Sequence, residues 1–270
     1  MTNILTGIHY LLIDMDGVLS RGHTALPGGQ DLITFVEREG IGYLLVTNNS
    51  TLPPAQFSAR LANMGLTVDA DHIMTSGVAT AEYLRTIAEP GARINVVGEP
   101  GLVQQLESRG FVTVTDRHAD YVVAGWDKTL TYEKLKQACL AIRDGAIFIG
   151  TNADKTYPLE NDIIPGAGSI LAALIASTDV QPRVVGKPES IMIEQCLRLL
   201  GARADETAML GDRMDTDILG GYRAGLRTIM VLTGISTLEE VAQSEVKPDL
   251  IYQDLPALLA EWAPLRQARL

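Results

Sequence analysis

Short apolar runs along this chain alternate with longer segments in which apolar residues recur at helical spacing. The first run, Tyr10–Ile13, has no polar alternation, so both of its faces must be covered, as in a buried parallel strand. An amphipathic helix, Asp31–Glu39, follows it, and Gly40 ends that helix. Because strands and helices keep alternating in this way, the pattern predicts an α/β fold with a doubly covered parallel sheet.

The same pattern places the other elements. Further strands are predicted at Ile41–Val46, Ile73–Thr75, Ile94–Val97, Tyr121–Ala124, Ala146–Ile149, Arg183–Val185, Thr207–Leu210 and Arg227–Leu232. Further helices are predicted at Pro54–Gly65, Ser76–Ala88, Leu102–Arg109, Thr131–Arg143, Gly166–Ser177, Glu189–Leu200 and Ile218–Ala224. Residues 20–30 are predicted to form a loop that could act as a flap, and the region after Leu232 is predicted to be mostly helical.

Polar side chains stand at or near the ends of several predicted strands. They are Asp14 and Asp16, Thr47 and Asn48, Lys187, and Asp212 with Asp217. Right-handed crossovers bring the carboxyl ends of parallel strands to one edge, where open α/β sheets bind their ligands. Several carboxylates without clustered histidine or cysteine suit a hard cation such as Mg²⁺, which also binds phosphate oxygens. The set therefore predicts a phosphate ester as substrate.

The residue types within this set suit different tasks. Lys187 would bring a positive charge to a transferring phosphoryl group, while the Thr47 hydroxyl and the Asn48 amide would hold its oxygens. An aspartate could act as the nucleophile, as carboxylates do in aspartyl-phosphate chemistry. These residues also have structural alternatives: Asp14 and Asp16 could form a solvated turn, the lysine could be a surface charge, the Thr47-Asn48 pair could cap a helix, and Asp212 could be a turn residue.

Composition narrows the class of protein. The 270 residues have a formal charge of −11, which disfavours non-specific attraction to nucleic acid or to an anionic membrane. The only cysteines, Cys139 and Cys196, lie in apolar, helix-like segments, which favours reduced thiols over a disulfide framework. The sequence has neither a signal-peptide pattern at its start nor an apolar run of about 18 residues, so we expect a cytoplasmic protein.

The polar segments also resemble a known family when they are taken in order. Asp-Met-Asp-Gly-Val-Leu, Thr-Asn-Asn-Ser, Gly-Lys-Pro and Gly-Asp-Arg-Met-Asp-Thr-Asp-Ile resemble the four motifs of the haloacid dehalogenase superfamily of phosphatases. Phrases such as Thr75-Ser76-Gly77, Thr151-Asn152-Ala153-Asp154, Pro165-Gly166-Ala167-Gly168 and Leu232-Thr233-Gly234 are similar to its NagD-like branch, which includes 4-nitrophenylphosphatases. The resemblance covers nearly the whole chain. It implies a Rossmann-like, doubly wound core with an inserted α/β cap domain of the C2 type.

The resemblance implies a role for each motif residue. Asp14 would be the nucleophile that forms the aspartyl-phosphate, and Asp16 the acid that protonates the leaving group and then activates water. Mg²⁺ would be held by Asp14, by the backbone carbonyl of Asp16 and by Asp212, with Asp217 supporting this shell or orienting Lys187. The substrate's phosphoryl group would be bound by Thr47, Asn48, Lys187 and the backbone of Arg213, Met214, Asp215 and Thr216.

The break at Glu89-Pro90-Gly91 matches the point at which the family inserts its cap. We therefore expect a core domain of residues 1–90 and 182–270 and a cap domain of residues 91–181. Asn152 and Asp154 resemble part of the family's specificity loop and could meet the leaving group, although a plain loop is an equal alternative. Relatives often dimerise through the cap, so a homodimer is a further expectation.

These features predict a Mg²⁺-dependent phosphomonoester hydrolase for small phosphorylated metabolites. The substrate could be phosphoglycolate, a sugar phosphate, a nucleotide or an aryl phosphate such as 4-nitrophenyl phosphate. A phosphotransferase or mutase of the same superfamily is the enzymatic alternative, and a non-catalytic phosphate-binding regulator is the alternative from another class. The sequence alone does not select the substrate.

Overall fold

The computed structural model describes residues 3–158 and 162–267. Its strands are β1 (Tyr10–Asp14), β2 (Ser20–Arg21), β3 (Thr24–Ala25), β4 (Gly42–Thr47), β5 (Ile73–Thr75), β6 (Arg93–Val97), β7 (Val112–Val114), β8 (Tyr121–Ala124), β9 (Ile147–Gly150), β10 (Thr156–Pro158), β11 (Ile163–Pro165), β12 (Arg183–Val184), β13 (Thr207–Gly211), β14 (Arg227–Val231) and β15 (Leu250–Tyr252). Its α-helices are α1 (Gly29–Arg38), α2 (Pro54–Ala62), α3 (Ser76–Ile87), α4 (Pro100–Glu107), α5 (Tyr132–Arg143), α6 (Ala167–Thr178), α7 (Ser190–Leu200), α8 (Leu219–Arg223), α9 (Leu238–Gln243) and α10 (Leu255–Gln267). A π-helical turn, Met214–Ile218, precedes α8.

The chain folds into two compact units. Among the described residues, the first comprises residues 3–46, Ala55–Met74 and residues 193–267. The second comprises Thr47–Pro54 and Thr75–Met192. The predicted cap, residues 91–181, lies inside the second unit, which also includes the segment that begins with Thr47. The assignment of residues to a core domain and a cap domain stays a prediction.

The first unit is built on a six-stranded sheet in the order β15-β14-β13-β1-β4-β5. In β1 the residues Leu11–Ile13 are fully buried, as expected of a strand with helices over both faces. β1 runs parallel to both of its neighbours, and the register pairs Ile13 with Leu210 of β13 and Asp14 with Val46 of β4. Asp14 therefore lies at the carboxyl edge of the sheet, in the central part of its strand order.

The second unit has its own parallel sheet, in the order β12-β9-β8-β6-β7. The apolar residues of β8 and β9 pack with the buried faces of α5 and α6 into one core. Its buried members are Val97, Val122, Ala124, Ala138, Ala141, Ile142, Ala146, Phe148, Ile170, Leu171 and Leu174. This core fixes the strand ends of β8 and β9 and hence the loops that follow them.

Several elements differ from the sequence prediction. The region after Leu232 is not simply helical, because β15 adds an edge strand to the first sheet. The predicted loop over residues 20–30 contains the short antiparallel hairpin β2–β3. The second unit gains an edge strand, β7, and an antiparallel pair, β10–β11; residues 159–161 lie outside the described residues.

The fold class is confirmed: mostly parallel sheets with covering helices form a Rossmann-like α/β protein. Cys139 and Cys196 are free thiols; the second is buried and the first is only partly so. None of the helices in the described ranges has the length and apolar character needed to cross a bilayer.

Candidate active site

The first part of the candidate site is the turn after β1. Asp14 ends the strand and is only 9% exposed, while Asp16 lies in the exposed part of the turn. The chain then reverses, since the carbonyl of Met15 accepts hydrogen bonds from the N–H groups of Leu19 and Ser20 at 3.0 and 3.1 Å. The buried position of one carboxylate and the exposed position of the other suit them to different tasks.

Glycine is required at the centre of this turn. Gly17 has a φ of +90°, a backbone conformation that side chains disfavour. A Cβ at this position would also lie 2.6 Å from Cγ of Asp212, which follows β13. The absence of a side chain therefore lets the turn after β1 pass directly beside the carboxylate of the neighbouring strand end.

Asp212 is fully buried and is held by the loop after β14. Its Oδ2 accepts a hydrogen bond from the backbone N–H of Ile235 at 2.7 Å, and its carbonyl accepts one from the N–H of Ser236 at 3.2 Å. The loop packs so closely that a Cβ on Gly234 would lie 1.7 Å from Oδ2. In the sequence, Gly234 stood out only as part of the Leu232-Thr233-Gly234 segment that resembles the NagD-like branch. Its closeness to the Asp212 carboxylate required the three-dimensional structure.

Asp217 is the third buried carboxylate of this candidate site, at 1% exposure. It lies in the π-helical turn, and its Oδ2 accepts hydrogen bonds from the backbone N–H groups of Asp212 and Arg213 at 3.2 and 3.1 Å. Gly211 makes room for it, since a Cβ there would be 2.2 Å from the Asp217 Cβ. Asp217 therefore holds the backbone of Asp212 and Arg213 in place.

These three aspartates form one cluster. One carboxylate oxygen of each of Asp14, Asp212 and Asp217 lies within 4.8 Å of the others. Like charges this close and this buried repel one another unless a cation or a proton compensates them. Three hard oxygen donors fit a divalent cation of the Mg²⁺ or Ca²⁺ type. The donor set thus fits a divalent metal.

The remaining residues of the last motif surround this turn. Arg213 and Asp215 form an ion pair with each other, with Nη2 of the arginine 2.9 Å from Oδ2 of the aspartate. The N–H of Met214 donates to Oγ of Ser236 at 3.1 Å, and Thr216 is buried. Their predicted role in binding the phosphoryl group through the backbone stays a prediction.

Three other predicted residues belong to the second unit. Thr47 is the last residue of β4 and directly follows Val46, the register partner of Asp14. Its Oγ1 accepts a hydrogen bond from the N–H of Asn49 at 3.1 Å. Asn48 donates from Nδ2 to the carbonyl of Lys187 at 2.9 Å, and this lysine is only 2% exposed. The structure therefore brings two distant motifs together and makes a surface charge the wrong interpretation of this lysine.

Side chains of the second unit hydrogen-bond to Asn48. Asn152 and Asp154 were singled out in the sequence as candidates to meet the leaving group, but both hydrogen-bond to Asn48. Ser76, which the sequence indicated only as a helix start, donates from Oγ to the Asn48 carbonyl at 2.5 Å. The sequence signal that could have singled out Ser76 is its position directly after the predicted strand Ile73–Thr75.

Comparison with known proteins shows the family of this chain. The family model for haloacid dehalogenase-like hydrolases matches residues 11–112, and a second model for HAD-like hydrolases matches residues 184–258. The chain is 42% identical over 250 residues to an acid sugar phosphatase of Staphylococcus aureus, covering 93% of this chain and 96% of the relative. The chain therefore belongs to the haloacid dehalogenase-like hydrolases, and within them to the NagD-like branch.

Solved structures give the same assignment. The 4-nitrophenylphosphatase from Thermotoga maritima superimposes with a TM-score of 0.90 at 36% identity, covering 96% of this chain and 99% of that one. The glycerol phosphate phosphatase Rv1692 from Mycobacterium tuberculosis, solved in complex with magnesium, gives a TM-score of 0.88 at 34% identity, covering 96% of this chain and 78% of that one. The protein is thus an enzyme of a hydrolase family, and a relative of known structure holds a divalent metal.

Proposed function

We propose that this protein is a Mg²⁺-dependent phosphatase that hydrolyses phosphate monoesters of small organic molecules through an aspartyl-phosphate on Asp14. The proposal rests mainly on one observation, the cluster of buried carboxylates at the ends of β1 and β13. Relatives named as acid sugar phosphatase, 4-nitrophenylphosphatase and glycerol phosphate phosphatase support the substrate class.

The two aspartates after β1 divide the chemistry between them. A carboxylate oxygen of Asp14 attacks phosphorus, and the ester oxygen departs with a proton donated by Asp16. The same Asp16 then takes a proton from water, and the resulting hydroxide attacks the phosphorus of the aspartyl-phosphate, releasing phosphate and restoring Asp14. Asp16 is exposed, which supports this role because its carboxyl group can exchange protons with solvent.

The metal would be held by Asp14, by the backbone carbonyl of Asp16 and by Asp212. When bound, Mg²⁺ offsets the negative charge of the carboxylates and of the phosphoryl oxygens. Asp217 would support this set through its two hydrogen bonds to the backbone of Asp212 and Arg213. The cluster's donors are all carboxylates, which is why Mg²⁺ is preferred here over softer metals.

A chain with a formal charge of −11 needs a local positive site for an anionic substrate. We assign that role to Lys187, whose burial makes its charge more effective than an exposed one. Thr47 and Asn48 would bind the same phosphoryl group, together with the backbone of residues 213–216. We keep the cytoplasm as the predicted location and a homodimer through the cap as the predicted assembly.

The proposal is tested by phosphate release from 4-nitrophenyl phosphate, glycerol phosphate and a sugar phosphate, each with Mg²⁺ and with EDTA. Turnover of at least one ester with Mg²⁺, loss of that turnover with EDTA and its return on adding excess Mg²⁺ are expected. Folded protein that leaves every ester intact would contradict the proposal and favour a binding protein. Transfer of the phosphoryl group to an acceptor other than water would identify a mutase or phosphotransferase instead.

A second expectation concerns the loop that holds Asp212. In Gly234→Ala the new methyl group would collide with the Asp212 carboxylate, so that carboxylate must move although every catalytic group is kept. We expect kcat/KM to fall by about 10- to 100-fold, the cost typical of a misplaced catalytic group. Gly7→Ala is the matched control, since its Cβ would meet nothing within 4 Å. Equal activity of the two variants would show that this contact does not position the metal site.

A further inference from the structure

Asn48 is held by side chains from two distant parts of the second unit. Its carbonyl accepts hydrogen bonds from Oγ of Ser76 at 2.5 Å and from Nδ2 of Asn152 at 2.8 Å. Its own Nδ2 lies 3.2 Å from both carboxylate oxygens of Asp154 and 2.9 Å from the Lys187 carbonyl. Main chain and side chain of Asn48 are thus both fixed, and Lys187 is fixed with them.

Asn152 uses both ends of its amide. Nδ2 donates to the Asn48 carbonyl, and Oδ1 accepts from the N–H of Asp154 at 3.1 Å. Exchanging the oxygen and the nitrogen would place an acceptor against a carbonyl and a donor against an N–H group, so this orientation is the favourable one. At 4% exposure, Asn152 has almost no surface left to contact a substrate.

Asp154 completes the arrangement. An amide nitrogen carries two hydrogens, and at Asn48 one is directed to the Asp154 carboxylate and the other to the Lys187 carbonyl. A hydrogen bond to a charged acceptor is stronger than one between neutral groups, so Asp154 holds this amide firmly.

Close packing keeps the Lys187 segment against the same residues. A Cβ on Gly186 would lie 2.7 Å from Oδ1 of Asn48, 2.7 Å from the carbonyl of Thr151 and 2.9 Å from Cβ of Asn152. A glycine is therefore needed where the chain enters Lys187. Hydrogen bonds and close packing therefore connect residues 151–154, the Asn48 loop and the Lys187 segment.

We propose that Asn152 and Asp154 are positioning residues, which act through Asn48 to set the main chains of Asn48 and Lys187, rather than residues that select the leaving group. This inference rests on the proposed function, because it assigns the phosphoryl group to Asn48 and Lys187. It makes a distinctive prediction. Every phosphate ester shares the same phosphoryl group, so loss of the positioning must affect all esters by the same factor.

The test is Asn152→Asp, which keeps the shape of the side chain but replaces the donor to the Asn48 carbonyl with an oxygen. We expect kcat/KM to fall by about 10- to 100-fold, because a buried acceptor would then face another acceptor. The factor should be the same for an aryl, a glycerol and a sugar phosphate. Asp154→Asn retains one acceptor oxygen for Asn48, so it should lose less activity than Asp154→Ala.

Asn95→Asp is the matched control. Asn95 is 3% exposed and also donates from Nδ2 to a backbone carbonyl, that of Asp116, at 2.9 Å, but it makes none of the contacts to Asn48. We expect a similar loss of thermal stability in the two variants and no change in kcat/KM for Asn95→Asp. A loss of activity shared equally by Asn152→Asp and Asn95→Asp would overturn the inference, because it would reflect general destabilisation.

The outcomes also separate this inference from the proposed function. A loss of kcat/KM that differs strongly between esters would overturn the inference and indicate that Asn152 and Asp154 contact the leaving group. Calorimetric titration with inorganic phosphate in the presence of Mg²⁺ gives a readout without turnover. Weaker phosphate binding by Asn152→Asp would support positioning even if no ester were hydrolysed by the wild type, in which case only the hydrolase proposal would fail. Unchanged phosphate binding would overturn the inference.

Discussion

Asp14→Asn is expected to reduce phosphate release by about 1,000-fold or more, because in the proposed mechanism Asp14 is the covalent nucleophile and its loss removes the reaction path itself. The amide has the same shape as the carboxylate but cannot form the aspartyl-phosphate. Asp14 is the last residue of β1, whose residues Leu11–Ile13 are fully buried, so its backbone position is fixed by the register with β4 and β13. Steady-state phosphate release measures the first effect, and acid-quenched labelling with a phosphate ester measures the loss of the phosphoenzyme.

The folded state should tolerate this change well. Asp14 shares its surroundings with Asp212 and Asp217, so removing one negative charge relieves repulsion within the cluster. We therefore expect the melting temperature without metal to be unchanged or higher. Circular dichroism of Asp14→Asn distinguishes a folded, inactive protein, which supports the role of Asp14, from an unfolded one.

Asp249→Asn is the control for this substitution. Asp249 precedes β15, so it lies at the amino edge of the same sheet, where its Oδ2 accepts from the N–H of Thr228 at 2.8 Å. The variant should keep wild-type turnover within about twofold, as expected of a change away from the site. Turnover by Asp14→Asn at the level of this control would remove Asp14 as the nucleophile.

The sequence was sufficient to predict the strands that position the site. β1 was predicted at Tyr10–Ile13 and observed at Tyr10–Asp14, and β13 was predicted at Thr207–Leu210 and observed at Thr207–Gly211. Both strands are buried on two faces, and such strands give an uninterrupted apolar run that is easy to recognise. Because an aspartate ends β1 and another directly follows β13, the clustering of Asp14 with Asp212 could be expected from the topology.

The strands that the sequence did not predict lack a continuous buried apolar run. β7 and β15 each have three residues, lie at the edge of their sheet and are only partly buried, so they carry little hydrophobic signal. Both strands of the β10–β11 pair end in proline, a residue that argues against a strand in sequence reasoning. In these elements it is pairing with a neighbour, rather than an apolar pattern, that defines the strand.

The supporting contacts of the site could not be predicted for another reason. Asn152 lies 104 residues from Asn48, and Lys187 lies 139 residues from it. No local pattern reports contacts across such separations. The same holds for Gly234, whose closeness to Asp212 depends on the path of a loop after β14. Sequence motifs named the candidate reacting groups, whereas the residues that contact and support them required three-dimensional coordinates.

Asp212→Asn is the second substitution with a large expected effect. In the wild type, Oδ2 of this carboxylate accepts a hydrogen bond from the N–H of Ile235, and the residue also belongs to the carboxylate cluster proposed to hold the metal. An asparagine has one oxygen for these two tasks and presents an amide NH₂ group in place of the other oxygen. We expect turnover to fall and the Mg²⁺ concentration for half-maximal activity to rise by more than about 100-fold, exceeding the cost of losing a supporting residue.

Asp217→Asn is the comparison that distinguishes a metal ligand from a supporting residue. The asparagine can still accept from the N–H groups of Asp212 and Arg213 through its single oxygen, so a supporting role is largely kept. We expect its Mg²⁺ requirement to rise by about 10-fold or less. Equal shifts in the two variants would make Asp217 a direct ligand, whereas an unchanged Mg²⁺ titration for Asp212→Asn would exclude Asp212 from the metal site.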